Sequence, residues 1–433
     1  MTIRHLMGLP AGLLMLSIVG SVAAQEPTVS SADYQEADLC KACHKDQYSQ
    51  WKGTMHAYSS EDAFYAGAFR LASEETNGAV DHFCSRCHTP IGELSGEVPP
   101  ADHSRLSEIA KRGVQCDFCH TLAGHEGIGN AQYLVKPGEV KLGPFGDGKP
   151  MGHKAAFSEF HTTPEFCGTC HNVDHPINGL HLETTYTEWK ESPYNTGDPA
   201  TRITCQDCHM TPGPGVTKPN PGKASPIAEE RPHISSHNMV GGGGVAALVG
   251  ETETLQAAEA MLKAAATVEL RLPEEAAKGA EAVVEVIMAN VGAGHYLPTG
   301  VTELRDLWLE LTVTGAGGET VYSSGALDEV GEIIPGAVKY QVQVADAAGN
   351  VTPKFWLAES IVSDHRIPPK GSVTETYRVP VPAEAVGPLT IRARLRYRAA
   401  SPSVLRLGLG EESAAVLPII EMAEAEGTVG VGN

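Results

Sequence analysis

The pattern of apolar and polar positions along this chain changes character near residue 250. Beyond it, short segments alternate: "ATVELRL" (266–272), "EAVVEVIMANV" (281–291), "DLWLELTVTG" (306–315), "ETVYSS" (319–324), "SVTETYRVPVP" (372–382) and "PLTIRARLRYRA" (388–399). A period near two, punctuated by Gly, Pro and Asn, predicts half-buried strands at short intervals. The expected fold here is an all-β, immunoglobulin-like sandwich over residues 266–420. It contains no cysteine, so no disulfide joins its sheets. Just before it, "ETETLQAAEAMLKAAA" sets Leu255, Ala258, Met261 and Leu262 along one face. That spacing predicts a connecting helix over 251–265. Residues 421–433, ending "EAEGTVGVGN", read as a loose tail.

Residues 25–250 show little periodicity. Between residues 40 and 209 every linker is rich in His, Gly and Pro, and residues 211–244 form a Pro- and Gly-rich wrapping segment. So little patterned apolar sequence cannot build an ordinary core. This region is expected to be mainly short helices and irregular chain, folded around something other than its own side chains.

The cysteines say what that is. All ten fall into pairs two residues apart, each followed at once by histidine: Cys40/Cys43/His44, Cys84/Cys87/His88, Cys116/Cys119/His120, Cys167/Cys170/His171 and Cys205/Cys208/His209. C-x-x-C-H is the pattern of covalent c-type haem attachment, two thioethers and a proximal imidazole. Zinc would need two such pairs per ion and no histidine in a fixed place. No cysteine remains for a structural disulfide or a nucleophile. Five haem c groups are the expected cofactors, and without them residues 25–250 are not expected to fold.

Residues 1–24 read as a secretory signal, with Arg4 and His5, the apolar "LMGLPAGLLMLSIVG" and small residues before Gln25. The run is short for a membrane span. No cysteine follows the cleavage site to carry lipid, and no later stretch is apolar enough to cross a bilayer. The expectation is an exported chain, periplasmic or extracellular. Its formal charge of -21 disfavours nucleic acid and favours basic redox partner proteins. "LPTG" (297–300) matches a sorting signal in letters but lacks the hydrophobic tail that such a signal needs.

Five proximal histidines leave thirteen others, a surplus that suits irons held by histidine on both faces. "CKACHKDQYSQWKGTMHA", with "CSRCHTPIG", "GVQCDFCHTLAGHEG" and "CGTCHN", resembles the tetrahaem cytochrome c-554 family, itself related to hydroxylamine oxidoreductase. The resemblance spans roughly residues 38–175. It implies that His56 is the distal ligand opposite His120 and that His125 closes the iron of His44. It also implies an iron without a distal ligand at the second motif, that of His88. "TTYTEWKESPYNTGDPATRITCQDCHM" resembles a segment of exported multihaem cytochromes and supplies a fifth motif that the tetrahaem family lacks.

For the other irons the sequence offers His153, His161 and His237, then His175, His181 and His233, and His295 in the turn "NVGAGHYLPTG". Met151, Met210 and Met239 could also serve, and would raise the potential. The function expected is electron transfer between redox partners. The alternatives are an oxidoreductase of nitrogen or sulfur oxyanions with one open haem, and a subunit of an extracellular homo-oligomeric filament. A C-x-x-C-K site, the mark of a dedicated nitrite reductase, is absent from the chain.

Overall fold

The computed structural model describes residues 29–216, 218–241 and 244–432; the predicted signal segment lies outside them. In the N-terminal region the substantial helices are Lys45–Lys52, Ala63–Thr76 and Asp81–His88. The helix Ala63–Thr76 starts at Asp62, whose side chain accepts from the Phe64 amide at 3.0 Å. It stops at Asn77, left-handed at φ 51°, where the Gly78 amide closes onto the Ser73 carbonyl. Most of the rest is single-turn helices and two-stranded ribbons. The apolar clusters are correspondingly small, such as Tyr34, Phe69, Ile91 and Phe118, or Ala37, Tyr48 and Trp51.

The C-terminal region has a continuous core. The helix Thr252–Ala265 leads into it, with Ala258 and Ala265 buried. One sheet runs in the order Glu275–Ala277, Ile420–Gly432, Leu389–Arg398, Asp306–Thr314, Thr320–Ser324. A second has Glu281–Asn290 between Ser372–Pro380 and Ala266–Arg271. Val284, Val286 and Met288 from the second sheet share one buried cluster with Leu307, Leu309, Leu311, Ile391 and Leu395 from the first. Alternation explains this, because Leu389–Arg398 turns every second residue inward. Asp306–Thr314 is buried on both faces. Its outer-face acids are therefore paired: Asp306 accepts from Arg398, and Glu310 from Arg394 and Arg396. A third sheet, Val351–Thr352, Gln341–Ala345 and Ser360–His365, lies beside these.

Residues 420–432, expected mostly as a loose tail, are instead the longest strand. Glycines and alanines weaken its hydrophobic signal. Pairing with Leu389–Arg398 supplies what burial does not, including ion pairs of Glu424 with Arg392 and of Glu421 with Arg394.

The two regions meet where the helix Pro402–Leu409 crosses Ala63–Thr76. A Cβ on Gly67 would stand 1.6 Å from the Gly408 carbonyl oxygen, and one on Gly408 would stand 2.3 Å from that of Phe64. Backbone lies on backbone, so only glycine fits. Gly67→Ala should therefore cost about 1–3 kcal/mol by overpacking. Thermal denaturation of the haem-loaded protein would show it as a lower melting temperature, and an unchanged one would refute the crossing.

Candidate haem sites

Each motif forms a helical turn, which in the second is the last turn of Asp81–His88. The amides of His44, His120 and His171 bond to the carbonyls of Cys40, Cys116 and Cys167 at 2.8, 3.0 and 2.9 Å. That turn puts residues i, i+3 and i+4 on one side, so both sulfurs and the imidazole face the same way. All ten thiols are free. Nδ1 of His44, His88, His120 and His209 points at the carbonyls of Ala224, Ser59, Leu142 and Val240, and that of His171 at Glu183 Oε1. An acceptor at Nδ1 holds the proton there and leaves the Nε2 lone pair free for a metal. The donor set thus fits c-type haem: paired cysteines and an imidazole with an acceptor at Nδ1 at every motif.

Among the predicted attachment cysteines, Cys43 departs from the rest. It is exposed, whereas the other nine are half-buried. Lys41 and Ala42 beside it are exposed too, so the first motif's turn lies at the protein surface. Its amide still closes on the Cys40 carbonyl at 3.1 Å, which keeps the turn intact. A thioether needs a sulfur in the right position, not a buried one. Cys43 therefore stays an attachment candidate, but an enclosed pocket does not identify it as one.

The imidazoles also occur in facing pairs. His44 and His153 have ring centroids 6.2 Å apart, His120 and His237 6.3 Å, His209 and His295 6.3 Å, and His56 and His171 6.1 Å. A metal–nitrogen bond of about 2.0–2.1 Å on either side of one ion, added to the reach from Nε2 to each ring centre, gives about 6 Å. In His153, His237 and His295 too, Nδ1 meets a carbonyl, of Lys154, Ser235 and Tyr296. Burial pulls the pKa of His56, His88, His209 and His237 down to about 4 and lowers that of His120, so these rings are neutral at pH 7. The His88 and His171 rings keep solvent-accessible surface although protein packs densely around them. The protein around them governs their titration.

The crossed pairing that the resemblance implies is absent. His56 meets His171, not His120, and His125 stacks on Phe160 at 5.3 Å, not on His44. His161 lies 5.8 Å from His120, but its Nε2 is bonded to the Cys119 carbonyl. His175 uses both nitrogens, on the Trp356 carbonyl and the Ile177 amide. His181 is bonded to Asp174, and His233 takes the Asn220 amide. Met151 is exposed, Met239 packs on the Trp51 cluster, and Met210 caps the fifth motif's helix. Among the described residues no imidazole ring pairs with His88; Tyr65 stacks on it instead, 3.9 Å away and nearly parallel.

Cysteines of different motifs lie side by side: Cys40 with Cys116, Cys87 with Cys170, and Cys167 with Cys205. The first motif thus adjoins the third, and the fourth adjoins both the second and the fifth.

Sequence reasoning missed Tyr65 and Glu183. Nothing marks Tyr65, which lies in an ordinary helix. Glu183 precedes the "TTYTEWK" segment, whose resemblance to other cytochromes was its one visible signal. Burial pushes the His171 pKa down, but the Glu183 hydrogen bond and charge outweigh it and hold it up at about 9. A carboxylate at Nδ1 makes an imidazole a stronger donor and favours the oxidised metal. Glu183→Gln should raise the potential of the fourth centre by roughly 60 mV, a tenfold change for one electron. Redox titration that finds no centre moved would exclude this role.

Residues 39–121 match the family described as cytochrome c554 and c-prime. No curated protein matches the chain. Among solved structures, a penta-heme cytochrome c552 from Thermochromatium tepidum shares the fold, with a TM-score of 0.64 and 23% identity over 92% of this chain and 99% of that one. A CARDB domain from Pyrococcus furiosus, solved with di-metal ions, is 15% identical over 39% of this chain and 87% of that one. Its TM-score of 0.19 carries no weight. With five C-x-x-C-H motifs, the family match and the shared fold, the chain is a multihaem cytochrome c with a C-terminal β-rich region.

Proposed function

We propose that the protein is an exported pentahaem cytochrome c that passes electrons between redox partners in the periplasm or at the cell surface. The observation that carries this reading is the set of four imidazole pairs with ring centres 6.1–6.3 Å apart, room for one metal ion between each pair. His153, His237, His56 and His295 would then be the second ligands, paired with His44, His120, His171 and His209. One-electron oxidation and reduction is the chemistry that haem c supplies when bound. The residues do the rest. Cysteines hold each group covalently, and Nδ1 acceptors orient the proximal rings. At the four paired sites a second imidazole would keep small ligands away, and the close approach of neighbouring motifs would let the groups they hold exchange electrons. The formal charge of -21 suits basic partners.

A second reading, an oxidoreductase acting on nitrogen or sulfur oxyanions, has one observation in its favour. Beside His88, Tyr65 has its hydroxyl buried without a hydrogen-bond partner among the described residues. Burial keeps its pKa well above the usual phenol value, so it remains a proton donor.

The pyridine haemochrome assay should give five covalent haems per chain, and a clearly smaller number would refute the stoichiometry. His56→Ala should leave all of them attached and convert one, the fourth, to a high-spin form that binds carbon monoxide when reduced. An unchanged spectrum would remove His56 from the ligands. In the native protein, carbon monoxide binding at one haem in five would favour the second reading, and none would favour the pure carrier.

A further inference from the structure

We propose that Glu188 is a positioning residue for the fifth haem, its buried carboxylate holding the β-region turn that presents His295 to the iron of His209. The inference rests on the His209/His295 pairing and explains how a ligand from one region reaches a metal held by another.

Glu188 lies in the helix Thr185–Lys190, ahead of the fifth motif, and is 6% exposed. A buried carboxylate must have its lone pairs occupied. Here four donors converge on it. Oε1 accepts from Thr184 Oγ1 at 2.8 Å and from Arg366 at 2.6 Å. Oε2 accepts from the Tyr296 amide at 3.0 Å and from Thr299 Oγ1 at 2.7 Å. Three of these four donors belong to the β-region, and two of them sit in the turn that carries His295, one on the very next residue.

Nearby contacts complete the grip. Asn290 Nδ2 donates to the His295 carbonyl at 2.8 Å, and Thr185 Oγ1 meets Thr299 Oγ1 at 2.8 Å. Arg366 also pairs with Asp364 and lies over the Tyr296 ring, 4.9 Å from its centroid. The helix itself is fixed to the motif by Trp189 Nε1, which donates to the Ile203 carbonyl at 2.8 Å, two residues before Cys205. The path runs from motif to helix, carboxylate, turn and ligand through short polar contacts only. Ligand distances at a metal site fall within about 0.2 Å of their standard values. Release of the turn at Tyr296 and Thr299 therefore detaches the imidazole.

The test uses the haem-loaded full-length protein and counts high-spin, carbon monoxide-binding haem above the native background. His295→Ala should add one haem in five. Glu188→Ala should add most of one, Glu188→Gln less, and the double variant no more than His295→Ala alone. A merely structural glutamate would lower the melting temperature and leave the spin state untouched. If His295→Ala adds one haem while Glu188→Ala and Glu188→Gln add none, the positioning role falls and the pairing stands. If His295→Ala adds none, the pairing falls and takes this inference with it. Should Glu188→Ala not accumulate, Thr299→Val removes one donor to the same carboxylate with little change of shape. A partial high-spin fraction there supports the role, and none overturns it.

Discussion

An imidazole can offer Nε2 to a metal only while Nδ1 gives its proton to something else, and the N-terminal region is arranged around that requirement. Most of the acceptors come from remote chain. Ala224 serves His44 across 180 residues, Ser59 serves His88, and Leu142 serves His120. Segments poor in regular structure suit the task, because carbonyls not committed to a helix or sheet remain free to accept. The Pro- and Gly-rich stretch after the fifth motif, where Ala224, Ser235 and Val240 lie, is one such segment.

The ring pairs impose a second long-range order. His44 with His153, His120 with His237 and His56 with His171 each join distant parts of the chain. In a region with only small apolar clusters, these pairs and the groups they fit take over what a hydrophobic core does elsewhere. The β-region is stabilised differently, by alternating side chains that close a large apolar interior. The two meet through glycine backbone at Gly67 and Gly408, and through buried ionic contacts at Glu188 and Arg366. A stable β framework thereby carries part of the task of placing side chains near metal.

The fourth motif differs from the others. Four proximal imidazoles donate to neutral carbonyls, whereas His171 faces the Glu183 carboxylate and is adjoined by thiols of the second and fifth motifs.

Much was legible in the sequence. The five motifs need only local spacing, since one helical turn decides where two sulfurs and an imidazole point. How far each sulfur is covered is not local, and Cys43 stands exposed where its nine counterparts are half-buried. Six of the β strands showed through their alternation, and the connecting helix through its apolar face; the sheet of Gln341–Ala345 and Ser360–His365 did not show. The last strand did not, because Gly and Ala carry little hydrophobic signal and its partner is chosen by pairing with Leu389–Arg398. Which imidazoles stand beside the motif histidines was legible only as a set of candidates. His153, His237 and His295 were in that set, while the crossed pairing of His56 and His125 gave way to His56 beside His171. Which imidazole faces which depends on how loops from both regions come together in space, and no local spacing encodes that. The same holds for Glu188 and Glu183, ordinary acids in sequence whose surroundings come from tertiary contacts. Chemistry set by neighbours along the chain was determined by the sequence alone; chemistry set by neighbours across it waited for the fold.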